Sequence, residues 1–120
     1  MTDFRRSILI VDDEPLIADT LALILRDAGF DPSVAYNGGT ALEIARRTRP
    51  DVVLSDVILP GMSGLDLVLQ IRKLLPGVRL LLFSGQAVTA EMLEAKEGGQ
   101  EFEVLPKPFS PEELLLKLKQ

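Results

Sequence analysis

The stretch Ser-Ile-Leu-Ile-Val-Asp-Asp-Glu, residues 7–14, decides how the rest of the chain is interpreted. A short aliphatic run that stops at consecutive carboxylates is typical of a strand buried on both faces of a parallel sheet. The run is too short for the hydrophobic region of a signal peptide or for a membrane span. We therefore expect a soluble, cytoplasmic protein that makes no contact with a membrane.

Apolar runs of the same kind recur along the chain and alternate with segments of helical periodicity. The later runs are residues 32–36, 52–55, 78–83 and 103–105. This alternation is typical of βα units and predicts an α/β fold with an open, doubly wound, five-stranded parallel sheet. The length and the absence of linkers and repeats predict one domain over residues 1–120.

Individual residues predict where the helices and loops begin and end. Gly29 is a natural end for the first helix and Asn37 a cap for the second. The segment 110–113, Ser-Pro-Glu-Glu, is a capping box with proline at the first helical position, so the last helix begins there. The segment 59–64, Leu-Pro-Gly-Met-Ser-Gly, is loop by composition.

The composition limits the chemistry that the protein can perform. The chain contains no histidine and no cysteine. This excludes serine and cysteine triads, structural zinc sites, disulfides, haem and iron–sulfur ligation, and favours hard ions held by oxygen ligands. The net charge is −5, from 13 basic and 18 acidic residues, which argues against nucleic-acid binding by the domain itself.

Polar side chains stand where the predicted strands end. Asp12 and Asp13 follow the first strand, Asp56 the third, Ser84 the fourth and Lys107 the fifth. Open parallel sheets bind ligands just beyond the carboxyl ends of their strands, so we expect these side chains to converge on one edge. The alternative is that these residues are only structural: the acidic pair caps a helix, Ser84 is a turn serine and Lys107 lies in a rigid surface loop.

Carboxylates held close together repel one another, and a divalent cation relieves that repulsion at neutral pH. Magnesium suits the predicted cluster because it needs only one or two carboxylates and leaves positions for a phosphoryl oxygen; manganese is a substitute. Lys107 can hold a carboxylate, or a phosphoryl oxygen once phosphate is present. Asp56 is the hardest residue to explain as structural, because its neighbours are apolar.

The order of these residues, with Lys107-Pro108-Phe109 after the last strand, resembles the receiver domain of two-component response regulators, in the style of the stand-alone chemotaxis regulators. The resemblance covers essentially the whole chain. It implies a flavodoxin-like (βα)5 fold with strand order 2-1-3-4-5. It also implies that Asp56 accepts a phosphoryl group, that Ser84 is the switch hydroxyl and that Lys107 contacts the phosphate. The peptide bond between Lys107 and Pro108 is expected to be cis.

The resemblance further implies a set of metal ligands and a decay of the phosphorylated state. Asp12, Asp13, Asp56 and the backbone carbonyl of Ile58 correspond to the ligands of Mg²⁺. Ile58 and Gln86 correspond to the positions that tune the hydrolysis of the aspartyl phosphate.

The implied partner is a phosphohistidine donor, either a sensor histidine kinase or a histidine phosphotransfer protein. Since the chain ends soon after its last helix, we expect a stand-alone receiver that signals to a downstream protein or relays the phosphoryl group. Leu116 lies off the apolar stripe of that helix, which leaves room for a partner or homodimer surface.

Two other functions remain open. One is a receiver-like interaction module that is never phosphorylated; the other is a magnesium-dependent phosphatase with an aspartyl-phosphate intermediate. The phosphatase usually needs a general acid two residues after its nucleophile, and Ile58 cannot serve. We therefore expect a phosphoacceptor that takes part in its own phosphorylation and dephosphorylation but is not an enzyme.

One position departs from the family pattern. Many receivers have a tyrosine or phenylalanine three residues before the lysine, and this chain has Val104 there. Phe102 lies on the same side of the strand, so one hypothesis is that it replaces the missing ring. The favoured interpretation is that Phe102 is a core residue.

Overall fold

The computed structural model describes residues 6–85 and 89–120, so Gln86 lies outside the described residues. The strands are β1 (Ser7–Val11), β2 (Asp31–Ala35), β3 (Val52–Asp56), β4 (Ile58–Leu59), β5 (Met62–Ser63), β6 (Arg79–Ser84) and β7 (Glu103–Pro106). The helices are α1 (Pro15–Asp27), α2 (Gly38–Thr48), α3 (Gly64–Leu74), α4 (Ala90–Glu97) and α5 (Pro111–Lys119). None of these helices has the length and apolar content to cross a membrane.

The main sheet has five strands in the order β2-β1-β3-β6-β7, and its neighbouring strands are all parallel. When only the strands of this sheet are numbered, the order is 2-1-3-4-5, which confirms the predicted flavodoxin-like topology. The order reverses between β1 and β3, so the carboxyl ends of these two strands flank the switch point where such sheets bind ligands.

The alternation of side chains along β1 shows why the first aliphatic run is continuous. Ile8 and Ile10 pack into the core cluster with α1 and α5, whereas Leu9 and Val11 pack into the cluster with α2 and α3. All four side chains are at most 1% exposed. A strand with helices on both faces needs apolar residues at every position, as the sequence predicts.

The predicted helix signals act at the ends of three helices. Gly29 follows the end of α1 with φ +97°, a conformation that glycine adopts without steric cost. The Asn37 side chain accepts a hydrogen bond of 2.8 Å from the backbone N–H of Thr40 at the start of α2. The capping box between Ser110 and Glu113 is present at the start of α5.

The segment 59–64 is more ordered than its composition suggests. β4 and β5 pair as a two-residue antiparallel ribbon, with Ile58 opposite Ser63. The turn between them is Pro60-Gly61, and Gly61 has φ +77°, the conformation that the third position of a type II turn requires. The loop prediction was therefore wrong for Leu59, Met62 and Ser63, and for Gly64, with which α3 begins. A turn signal between short flanks does not reveal that the flanks pair.

Candidate functional site

Three carboxylates meet at the carboxyl ends of β1 and β3. One oxygen from each of Asp12, Asp13 and Asp56 lies within 4.8 Å of the other two. Asp12 is buried, Asp56 is half-buried and Asp13 is exposed. The parallel register, which places Val11 beside Ser55, brings the acidic pair that follows β1 level with the end of β3. The predicted convergence is therefore present for all three residues.

Asp12 is the most enclosed member of the cluster, with 0% exposure. Its Oδ1 atom accepts a 2.9 Å hydrogen bond from the backbone N–H of Glu14, but its buried Oδ2 atom has no hydrogen-bond partner among the described residues. The helix-capping alternative for the pair does not describe this geometry, because α1 begins at Pro15 and Asp12 bonds to a residue before it.

The surroundings of Asp12 disfavour its charged form. Burial raises the pKa of its carboxyl above the ordinary value, and the negative charges of Asp56 and Asp13 raise it further. The hydrogen bond from Glu14 and the positive charge of Lys107 act in the opposite direction without cancelling the shift. A cation at this point would favour the ionised carboxylate and remove the cost of the repulsion.

Asp56, at the end of β3, is held by two contacts of different kinds. Its Oδ2 atom lies 3.1 Å from the Nζ atom of Lys107, and its Oδ1 atom accepts a 3.2 Å hydrogen bond from the backbone N–H of Ile58. The carboxylate side chain retains 16% exposure. These contacts fix its orientation while leaving it open to a reactant from solvent.

Backbone contacts at the end of the sheet position Lys107. Its N–H donates a 2.7 Å hydrogen bond to the carbonyl of Ser84, and the peptide bond to Pro108 is cis, as expected. Ser84 is buried, at 5% exposure, at the end of β6. The backbone of Lys107, just after β7, therefore lies next to that of Ser84 at the end of β6. The role of the Ser84 hydroxyl stays a prediction.

Gly64 is a site residue that the sequence analysis treated only as part of a loop. Its backbone N–H bonds to the carbonyl of Val57 at 2.6 Å, so the start of α3 lies directly against the segment that follows Asp56. A Cβ atom here would collide with the backbone oxygen of Asp56 and lie 2.9 Å from the Cα atom of Val57. Ser63 caps α3, since its hydroxyl oxygen accepts a 3.0 Å hydrogen bond from the backbone N–H of Asp66. The signal in the sequence was a glycine directly after this serine.

Val104, at the position that departs from the family pattern, takes part in core packing together with Phe102. Phe102 is 7% exposed within the core cluster that also contains Met92, and Val104 packs against that cluster. The Nζ atom of Lys96 lies 5.1 Å from the centroid of the Phe102 ring. This packing supports the core interpretation of Phe102.

Leu116 on α5 is 63% exposed, as its position on the helix predicts. A partner surface at Leu116 stays a prediction.

The fold and the acidic site together define a phosphoacceptor domain of two-component signalling. A family model of the response regulator receiver domain matches residues 8–119, and the chain belongs to this family. Receiver domains interact with histidine kinases, are generally non-enzymatic phosphoacceptors and bind Mg²⁺ through an acidic pocket. In this chain Asp12, Asp13 and Asp56 form an acidic cluster.

Among curated relatives, the chain is 41% identical to the probable transcriptional regulatory protein TcrX of Mycobacterium tuberculosis, over 94% of this chain and 48% of TcrX. The chain spans about half the length of the curated relatives it matches, among them DNA-binding response regulators. Because some of these relatives are DNA-binding regulators, they do not support the prediction that the protein has no nucleic-acid partner.

Solved structures resemble the chain over almost its whole length. A CheY-like receiver domain protein from Methanospirillum hungatei superposes with a TM-score of 0.88 at 30% identity, over 97% of this chain and 92% of the other. A response regulator from Burkholderia pseudomallei, solved with a phosphorylated aspartic acid and a calcium ion, gives a TM-score of 0.80 at 30% identity, over 92% of this chain and 64% of the other.

Proposed function

We propose that Asp56 is the phosphoacceptor of this receiver domain and that Asp12, Asp13 and Lys107 prepare it for phosphoryl transfer. The observation that carries the proposal is the 3.1 Å contact between Lys107 Nζ and Asp56 Oδ2 beside two further carboxylates. A structural ion pair has no need of that additional negative charge, which costs folding free energy when uncompensated. The phosphorylated aspartic acid in the Burkholderia structure supports the same assignment.

In the proposed reaction, one carboxylate oxygen of Asp56 attacks the phosphorus atom of a phosphohistidine. The new P–O bond forms as the P–N bond breaks, and the electron pair of that bond stays on the imidazole nitrogen of the donor. The Lys107 ammonium, already beside Asp56, stabilises negative charge on the transferred group. The fixed orientation of Asp56 supplies the rest of the acceleration by positioning.

Asp12 and Asp13 are the residues proposed to hold the divalent ion together with Asp56, with the backbone carbonyl of Ile58 as a further ligand. The donor set is all oxygen, and the buried Oδ2 atom of Asp12 has no hydrogen-bond partner among the described residues, which suits a hard cation such as Mg²⁺, or Mn²⁺ in its place. When bound, the ion supplies positive charge for the phosphoryl oxygens. Ser84 is proposed to donate a hydrogen bond to the phosphoryl group.

The phosphohistidine of the donor lies outside these 120 residues, because they contain no histidine. We propose a sensor histidine kinase or a histidine phosphotransfer protein for this role, with the domain in the cytoplasm. Later attack by water on the same phosphorus breaks the P–O bond to Asp56, releases inorganic phosphate and returns Asp56 to its carboxylate form. The phosphatase alternative is not favoured, because the side chain of Ile58 is apolar and 79% exposed and offers no acid to the site.

The decisive experiment is incubation with acetyl phosphate and Mg²⁺, followed by intact-mass spectrometry. We expect the parent protein to gain one phosphoryl group and Asp56→Asn to gain none. Asp66→Asn is the matched control, because Asp66 is an exposed aspartate at the start of α3. A gain that survives Asp56→Asn would refute the assignment. A parent protein that gains nothing would favour the interaction module.

A further inference from the structure

The ring of Phe83 lies beneath the ammonium group of Lys107. Phe83 is fully buried on β6, one residue before Ser84, and the Nζ atom of Lys107 lies 5.3 Å from its ring centroid. The same Nζ atom lies 3.1 Å from Oδ2 of Asp56. The ammonium thus has two partners, a carboxylate and the negative face of an aromatic ring.

The two partners differ in what happens to them during the proposed reaction. Lysine has a flexible four-carbon stem, so its ammonium takes a fixed position only when its contacts hold it. Phosphorylation converts the negative Asp56 carboxylate into an ester-like acyl phosphate and moves the negative charge outward. The contact with Asp56 must therefore change, whereas the ring of Phe83 takes no part in the chemistry and remains.

Phe83 is itself held rigidly relative to Asp56. The two residues are paired in the register of β3 and β6, and the carbonyl of Phe83 accepts a 3.2 Å hydrogen bond from the N–H of Val57. Its ring meets that of Phe109 with centroids 5.8 Å apart and planes inclined at 59°. Ring and carboxylate therefore belong to one rigid unit at the end of the sheet.

We propose that Phe83 is a positioning residue for phosphoryl transfer, whose ring face holds the Lys107 ammonium at the reaction centre before and after Asp56 is modified. This role rests on the proposed function. The competing explanation is that Phe83 only fills the core beside Leu105 and Leu114, with which it shares a cluster. The two explanations differ in one property, since only the first depends on the electrons of the ring.

The test replaces Phe83 with mono-, di- and trifluorophenylalanine in the full-length chain. Fluorine withdraws charge from the ring face and weakens its attraction for a cation while hardly changing the shape of the ring. We expect the rate constant of phosphorylation by acetyl phosphate to fall with each fluorine, by roughly three- to tenfold across the series. A rate constant that stays the same across a folded series would overturn the proposal.

The same series at Phe30 is the matched control. Phe30 is buried in the same core cluster, and the structure records no contact between its ring and Lys107 among the described residues. Fluorination there is expected to leave the rate constant unchanged. If the Phe30 series slows phosphorylation as much as the Phe83 series, the effect is one of core packing and the positioning role is wrong.

A spectroscopic measurement reads the placement of Lys107 without any phosphoryl donor. The ring current of Phe83 is expected to shift the ε-methylene protons of Lys107 upfield of those of the other lysines. Phe83→Leu removes this shift and Phe30→Leu preserves it; a normal Lys107 shift in the parent protein would contradict the proposal. If the parent protein is phosphorylated on Asp56 and fluorination of Phe83 leaves the rate constant unchanged, only the role of Phe83 is wrong. If the parent protein is not phosphorylated, the proposed function is wrong as well.

Discussion

Lys107 places its ammonium 3.1 Å from Asp56 Oδ2, beside a cluster in which one oxygen from each of Asp12, Asp13 and Asp56 lies within 4.8 Å of the other two. The Lys107 ammonium and a divalent cation therefore compete for the same negatively charged carboxylates. Removing the ammonium in Lys107→Met leaves that charge less compensated. We expect magnesium to bind about fivefold more tightly to this variant, equivalent to about 1 kcal/mol, while phosphorylation becomes slower.

Isothermal calorimetry of Mg²⁺ binding measures this change directly. Lys73→Met is the control, because Lys73 is an exposed lysine in the last turn of α3 and has no place in the site. Its magnesium affinity should match that of the parent protein. Weaker binding by Lys107→Met would mean that the ammonium supports the cation site instead of competing with it.

The buried carboxyl of Asp12 predicts a pH-dependent gain in stability for Asp12→Asn. The pKa of Asp12 is raised in the folded protein, mainly by burial, so folding is disfavoured when this group is ionised. The penalty is present above the folded pKa and is lost as the pH falls below the unfolded value of 3.8. Without a divalent ion, Asp12→Asn should increase the free energy of unfolding at pH 7 by roughly 0.5–2 kcal/mol.

Urea unfolding at pH 7 and at about pH 3.5, with a chelator present, tests this expectation. The gain should shrink at the lower pH, because the parent carboxyl is then neutral as well. Asp13→Asn is the comparison, since Asp13 is exposed and its removal should stabilise the protein less. A variant less stable than the parent at pH 7 would show that the hydrogen bond to Glu14 outweighs the cost of burial.

Much of the fold was predictable because buried strands leave a direct mark on the sequence. The run from Ile8 to Val11 had to be apolar throughout, since its side chains enter cores on both faces of the sheet. The site followed from the same logic, because parallel strands end at one edge and the polar residues after them must meet there. The positions of Asp12, Asp56 and Lys107 were thus accessible without coordinates.

Features that depend on side chains from distant segments were not predictable. The contact between the Phe83 ring and Lys107 joins residues on β6 and just after β7, and no local pattern encodes it. The Oδ2 atom of Asp12, which has no hydrogen-bond partner within residues 6–85 and 89–120, likewise depends on how the end of β1 is covered. Strand limits differ by one residue, as in β6, which begins at Arg79 instead of Val78, because hydrogen bonding and not hydrophobicity defines them.

The close approach of Gly64 to β3 predicts a severe effect for Gly64→Ala. The added methyl group would meet the backbone carbon of Asp56 at 2.8 Å as well as its oxygen, and backbone cannot rotate away as a side chain can. The start of α3 must then move from the end of β3. We expect the free energy of unfolding to fall by about 2–4 kcal/mol and phosphorylation of Asp56 to slow.

Gly77→Ala provides the matched control for this substitution. A Cβ atom at Gly77 has nothing within 4 Å, and its φ is not in the left-handed region. The control should unfold at nearly the same urea concentration as the parent protein. If Gly64→Ala is equally harmless, the backbone after Asp56 can adjust and the helix does not constrain the site.

A second ion pair fixes the end of the last helix. The Nε and Nη2 atoms of Arg79 donate to the two carboxylate oxygens of Glu103 at 2.6 and 2.9 Å. The same guanidinium donates to the carbonyls of Lys117 and Leu118 at the end of α5. Glu103 therefore holds the arginine in the orientation that satisfies these terminal carbonyls.

This pair predicts a loss of stability that depends on pH. The hydrogen bonds from Arg79 are the main cause that lowers the pKa of Glu103, so its carboxylate contributes stability above the unfolded value of 4.5 and loses that contribution as the pH falls through the lowered pKa. Because the side chains remain 21% and 33% exposed, we expect Glu103→Gln to lower the free energy of unfolding at pH 7 by only about 1 kcal/mol. Urea unfolding should show this difference at pH 7 and little of it at about pH 3. Glu101→Gln, at an exposed neighbouring glutamate, should change little at either pH. If Glu103→Gln lowers the free energy of unfolding equally at both pH values, its effect arises from packing instead of charge.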